Sequence, residues 1–384
     1  MDVWGQLADA TFSSAKSAFL IALHLTGILC FWLGMMKIAE KSGIAGWLAR
    51  GLYPLFHKIM PDIPKNSPAL GSIVMNIAAN MLGLDNAATP MGIKAMEQLQ
   101  ADNKRKDTAS NAQILFMVIN SSSVTLIPIT ILMYRSELGS TNPGLVFLPI
   151  LFATAISTIV GFLSVAFIQK LNIFNRVFLV YSAVFIGIIS ALGISFAFLG
   201  AELRNAVASD LGNFILISII AVFIICGLSR KINVYDEFIN GAKEGFNLAV
   251  SIIPYLVAML VAIAWFRCSG ILDLFILGVE KFFAYFNINT DFVPALPTAL
   301  LKPLSGSGAR AMMVETMQTY GADSFPGFVS SVVQGSTETT FYVLAVYFGA
   351  VKISNTRHAL PCALLADVAG IVAAIALSYW FYIG

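Results

Sequence analysis

The chain has 384 residues, of which 58% are hydrophobic and only 11% charged, with a mean hydropathy of +0.82, far from the roughly 25% charged residues of soluble domains. Uninterrupted apolar stretches of about 20 residues recur, each long enough to cross a hydrocarbon core of roughly 30 Å as a helix, which excludes a cytosolic enzyme, a secreted disulfide scaffold and a disordered regulator. The formal net charge of +2, from 23 Lys and Arg against 21 Asp and Glu, offers no global field for a nucleic-acid partner.

In chain order, residues 1–16 are acidic and amphipathic rather than a short basic leader, so the first apolar run is expected to stay in the mature protein. Eight segments are predicted to cross as helices, at 17–38, 112–134, 145–169, 177–199, 211–229, 247–268, 327–350 and 358–382. Helices are the choice because backbone facing lipid must satisfy its own hydrogen bonds and the alternation of a membrane barrel is absent. Two further apolar segments, 67–99 and 292–320, are broken near their middles by LDNAATP and KPLSGSGAR and are predicted to be re-entrant hairpins. The stretch with Ile44, Trp47, Leu48, Leu52, Leu55 and Phe56 fits an interfacial helix. Cys30, Cys226, Cys268 and Cys362 stand far apart in or beside apolar runs, as small hydrophobes do, and His24, His57 and His358 are equally scattered, so no metal site is predicted.

Placing the N-terminus outside puts fifteen of the Lys and Arg residues on the cytoplasmic side and five outside, as the positive-inside rule requires. This holds only if 67–99 enters and leaves on one side, since Lys65 and the Lys104–Lys106 cluster flank it.

An offset of 227 residues aligns Ala15, Lys16, Phe19 and Ala22 with Ala242, Lys243, Phe246 and Ala249, and Ser42, Gly43 and Ile44 with Ser269, Gly270 and Ile271. Small length changes then bring Asn86 opposite Ser305, and NSSSV from Asn120 opposite QGSTET from Gln334. Two halves with the same order of parts, joined by linking helices at about 177–229, would be inverted in the membrane under this orientation. Inverted repeats with discontinuous helices characterise secondary transporters, whose substrate lies at the repeat interface.

The four interruptions are therefore expected to converge. Tip one offers Asp85, Asn86 and Thr89, with Pro90 placed to start its second half-helix; tip two offers Ser305 to Gly308 ahead of Arg310 and Glu315. Half-helix N-termini suit anionic or polar groups, and exposed carbonyls at half-helix C-termini suit a cation. Asn120, Ser121, Ser122 and Ser123 are either ligands or helix-packing residues. Glu338, the ionisable member of the second cluster, is either a substrate or proton ligand or a partner for Arg310 or Lys302, and must be paired, protonated or facing an aqueous cavity. Asp367 is either a pairing group or a proton site.

The NAATP, NSSS, PLSGSGAR and QGSTETTFY strings resemble spore maturation proteins A and B fused in one chain, within the nucleoside-recognition or gate-domain group. The resemblance covers essentially the whole sequence. It divides the chain into an A-like gate repeat at 1–176, linking transmembrane helices at 177–232 and a B-like gate repeat at 233–384. The group is also similar to the membrane part of B-type ferrous-iron permeases and, more distantly, to concentrative nucleoside transporters. That likeness implies cation candidates Asn86, Asn120, Ser121 and Ser122, and solute candidates Thr89, Ser305, Ser307, Gln334, Ser336 and Glu338.

The expectation is thus an all-α integral membrane protein, an inverted repeat of two halves with about eight transmembrane helices and two re-entrant hairpins, in the plasma or inner membrane. Its expected partners are the lipid bilayer and a small polar solute or ion, with cation coupling and a homo-oligomer both left open. No enzyme signature, catalytic residue, cofactor, metal or nucleic-acid partner is predicted. The rival reading is a non-transporting scaffold or regulator of spore or envelope maturation.

Overall fold

The computed structural model describes residues 3–64, 67–198 and 201–382, and the described residues form helices and connecting turns with no strand. The first seven helices are α1 (Val3–Ser42), α2 (Ile44–Ile59), α3 (Ala69–Met81), α4 (Asp85–Asp102), α5 (Asn111–Ser121), α6 (Ile129–Glu137) and α7 (Phe147–Gln169). After α8 (Arg176–Ala197) and α9 (Ala201–Ser229), the same order returns as α10 (Val234–Cys268), α11 (Ile271–Tyr285), α12 (Leu296–Leu301), α13 (Gly306–Tyr320), α14 (Phe325–Gly335), α15 (Thr340–Ala350) and α16 (Ala359–Tyr382).

Local sequence sets the joints. Gly43 (φ 77°) and Gly270 (φ 72°) lie 227 residues apart and both adopt the left-handed conformation that ends one helix and starts the next. Ser110 and Ser324 cap α5 and α14, their hydroxyls accepting from the N–H of Gln113 and Gly327.

Six of the described helices are long and apolar enough to cross a membrane: Trp4–Ser42, Pro143–Gln169, Arg176–Phe196, Asp210–Ser229, Val234–Cys268 and Ala359–Tyr382. The other two of the eight expected spans are the interrupted ones. The segments 112–134 and 327–350 divide into half-helices, α5 with α6 and α14 with α15, because the polar runs after Asn120 and Gln334 leave the helical path. The amphipathic residues before the span at 17–38 continue into it as one rod. At 40 residues α1 spans about 60 Å, well beyond a bilayer core. Pro90 is also displaced from its expected place: α4 begins at Asp85, leaving the proline inside the helix.

Equivalent helices pack antiparallel. Along α1 and α10, Thr11 lies beside Trp265, Leu29 beside Gly245 and Gly34 beside Phe238. A Cβ on Gly245 would sit 2.6 Å from the Leu29 carbonyl, and one on Gly34 at 2.6 Å from the Phe238 ring, so the approach needs glycine. Helices α7 and α16 meet likewise through Ser157, Gly161, Ala366 and Gly370, with the Ser157 hydroxyl donating to the Ala366 carbonyl at 2.9 Å.

The loops close the two ends in an equivalent way. At one end the α4–α5 loop meets the α15–α16 loop: Ala109 N–H donates to Asn355 O at 2.9 Å, and Arg357 reaches Ala109 O and the Asn111 side chain at 3.0 Å. At the other, the α6–α7 and α13–α14 loops meet at Asp323, which accepts from Arg135 at 2.9 Å, Ser140 at 2.5 Å and the Thr141 N–H at 2.7 Å. Burial acts to raise the Asp323 carboxyl, but these bonds from Ser140 and Thr141, with the Arg135 charge, hold it below its ordinary value. Helix α8 exposes Leu179, Val180, Val184, Ile186 and Ile188, an apolar surface suited to lipid.

Candidate functional site at the crossing of two helix breaks

Where α5 ends at Ser121 and α14 at Gly335, backbone groups lose their helical partners and must find others. They find each other. Glu338 N–H donates to the Ser121 carbonyl at 2.9 Å, joining the two breaks directly. Each break is also tied to the hairpin of its own half: Leu126 N–H donates to Met81 O at the end of α3, and Phe341 N–H to Pro303 O at the turn after α12, both at 3.0 Å. The hydroxyl of Thr158 on α7 donates to the Ser122 carbonyl. Four discontinuous segments are thus held at one place.

A polar-lined cavity of about 110 Å³ opens between them. Break one contributes Thr125 and Pro128, α6 contributes Tyr134, and α3 contributes Asn80. Break two supplies Gln334, Thr337 and Glu338, while the second hairpin supplies Lys302 and Arg310. Glu338 is exposed, so its carboxylate faces an open space, as one of the sequence expectations requires. Gln334 is 7% exposed and its Oε1 is buried without a hydrogen-bond partner. With two cations and a carboxylate on its wall, the space can hold a small polar or charged solute and orient it.

Beside the cavity lies a buried amide network. Asn120 Oδ1 accepts from Asn80 Nδ2 at 2.7 Å and from the Tyr347 hydroxyl at 3.3 Å, while its Nδ2 donates to Phe116 O at 2.8 Å. Asn76 Nδ2 donates to the Tyr347 hydroxyl at 3.1 Å and to Ala88 O at 2.7 Å, and Phe116 stacks on the Tyr347 ring at 5.5 Å. The network ties the first hairpin, α5 and α15 together across the two halves.

Of the solute candidates, Gln334 and Glu338 line the cavity. Ser336 is buried beside them, its hydroxyl turned to Val333 O at 2.8 Å. Ser305 caps α13, accepting from Gly308 N–H at 3.1 Å, and Ser307 stands next to it at 3.3 Å. Thr89 lies on α4, outside the set that lines the cavity. Of the cation candidates, Asn120 belongs to the amide network, and the hydroxyls of Ser121 and Ser122 donate to Val118 O at 3.0 and 2.8 Å. Ser123 is also buried, whereas Asn86 and its neighbour Asp85 start α4 with side chains outside the described residues. The sequence reading missed Asn76, Asn80, Tyr347, Thr125 and Tyr134. Asn76 and Asn80 had a signal, two carboxamides one helical turn apart in an otherwise apolar helix. Glu315, on the same half-helix as Arg310, pairs with Arg267 of α10 at 2.5 Å.

The sequence profile of the family described as Gate, nucleoside recognition, matches residues 22–141 and 249–354, so both hairpins and both breaks fall within it. Spore maturation protein B of Bacillus subtilis (strain 168) is 48% identical over 157 residues, 41% of this chain and 86% of that protein. Spore maturation protein A of the same organism is 45% identical over 151 residues, 39% of this chain and 77% of that protein. No solved structure matches the chain. With one profile spanning more than half of its length and two relatives covered over most of theirs, this multi-pass membrane chain belongs to the nucleoside-recognition Gate family, together with spore maturation proteins A and B.

Proposed function

We propose that the chain is a transporter of a small polar solute or ion, and that the solute occupies the cavity between the two helix breaks. The observation that carries this reading is the direct backbone pairing of the breaks, Glu338 N–H to Ser121 O, with a hairpin bonded to each. Interrupted helices at membrane depth are tolerated where they face protein or a water-filled cavity, and in secondary transporters that is where substrate binds. Gln334, Glu338, Lys302 and Arg310 would contact the solute, Ser336 and the cap at Ser305 and Ser307 would shape the second hairpin around it, and Thr89 would act from the first. The chain divides into gate repeats at 1–176 and 233–384 with linking helices at 177–232. It lies in the plasma or inner membrane with its N-terminus outside, and works as a carrier rather than an enzyme. The antiparallel packing of α1 on α10 and of α7 on α16 supports alternating exposure of the cavity by movement of one half against the other.

The test is the thermal midpoint of the purified protein in detergent across a panel of ions and small polar metabolites, since a ligand that binds only the folded state raises the midpoint by mass action. A stabilising compound whose effect is lost in folded Gln334→Ala and Glu338→Gln protein would support the cavity as the solute site. Silence across the panel would instead favour a scaffold role, the second reading that the relatives' spore maturation names bring with them.

A further inference from the structure

Beneath the cavity, where α16 crosses the second break, several buried oxygens have no hydrogen-bond partner. Asp367 is 1% exposed, and neither of its carboxylate oxygens is bonded. The hydroxyls of Thr337 and Thr340, 3% and 0% exposed, turn toward that carboxylate and have no other partner. Gly370, one turn along α16, allows this approach: a Cβ there would lie 2.7 Å from the Thr337 methyl and 3.1 Å from the Ser336 carbonyl. Buried polar groups are nearly always satisfied, and a carboxylate is the costliest to leave otherwise. A carboxylate and two hydroxyls form a hard-oxygen set of the kind that binds alkali cations, and carbonyls at an unwound helix complete such sites in transporters.

We propose that Asp367, Thr337 and Thr340 form a binding site for a monovalent alkali cation, distinct from the solute cavity and from the Asn120 to Ser122 cluster. Thr337 belongs to both places, since it also lines the cavity. Lys302 does too: it lines the cavity and its positive field acts on Asp367. A cation at Asp367 therefore adds its charge to the field of the Lys302 ammonium, linking ion occupancy to the charge a solute meets in the cavity. That linkage rests on the transporter reading; the binding of the ion does not, so the two can fail separately.

The experiment measures the thermal midpoint of the full-length protein in detergent, titrated with LiCl, NaCl or KCl against choline chloride at constant ionic strength and neutral pH. One alkali cation is expected to raise the midpoint with the logarithm of its concentration beyond choline. The response should vanish in Asp367→Asn, weaken about tenfold in Thr337→Val, tighten in Lys302→Gln and persist in Asn120→Ala. If Asp367→Asn does not fold, the double variant Thr337→Val with Thr340→Val, which keeps the carboxylate, carries the test, with calorimetric titration of the ion as the direct measurement. A response to all salts equal to choline overturns the site. So does a cation response that survives both variants, or stabilisation by acidification alone, which would place a proton where the ion is proposed.

Discussion

Asn120, itself buried, holds its neighbours through three hydrogen bonds, to Asn80, Tyr347 and the Phe116 carbonyl. Truncation to alanine leaves the buried Tyr347 hydroxyl without its acceptor, and an unsatisfied buried polar group costs about 1–3 kcal/mol. Asn120→Ala is expected to lower the thermal midpoint in detergent while the protein still inserts; an unchanged midpoint would show that the network contributes no stability. At the other end of the molecule Asp323 makes a pH-dependent contribution. Its folded value lies below the ordinary carboxylate value of about 3.9, so the stabilisation is complete above that value and is lost as pH falls through the depressed folded value. Wild-type protein should therefore lose more stability on acidification than Asp323→Asn, read as the difference between midpoints at neutral and acid pH.

At the scale of elements, the glycines of α10 decide how near α1 can come. Gly245 faces the Leu29 carbonyl and Cys30 backbone, whereas Gly27 on α1 has no atom within 4 Å of where its Cβ would be. Gly245→Leu should cost about 1–3 kcal/mol or more through overpacking, and Gly27→Leu should leave the melting midpoint near that of the wild type. Equal effects at the two sites would contradict the close packing of these rods. The half-helices follow from a similar local rule. Hydroxyl and amide side chains after Asn120 and Gln334 compete with the helical backbone for its hydrogen bonds, and the freed groups are recovered by the facing break and by the hairpins.

For the whole molecule, the loops sort into two ends. The α4–α5 and α15–α16 loops share one end and carry Lys104, Arg105, Lys106, Lys352 and Arg357, while the α6–α7 and α13–α14 loops share the other. By the positive-inside rule this charge bias supports the proposed orientation, with the first end cytoplasmic. In a variant without its four native cysteines, a cysteine at Lys106 should react with an impermeant maleimide only after the membrane is opened, and one at Ser140 should react in intact cells. The reverse pattern would invert the proposed orientation without changing the fold.

Composition and hydropathy by themselves determined that the chain spans a membrane with helices, because burial of so much apolar surface and the demands of backbone in lipid leave no other class. The 227-residue offset made the repeated order of elements legible, and the polar runs marked where helices would break, since a run such as Asn120 to Ser123 interrupts an apolar span visibly. Tertiary structure decided the rest. That the two breaks bond directly to each other, that Asn76, Asn80 and Tyr347 meet Asn120, and that Lys302 lines the cavity while its charge acts on Asp367 depend on residues up to 271 positions apart. A sequence records which groups are costly to bury; only the packing of one half against the other determines which partners, or which empty places, answer that cost.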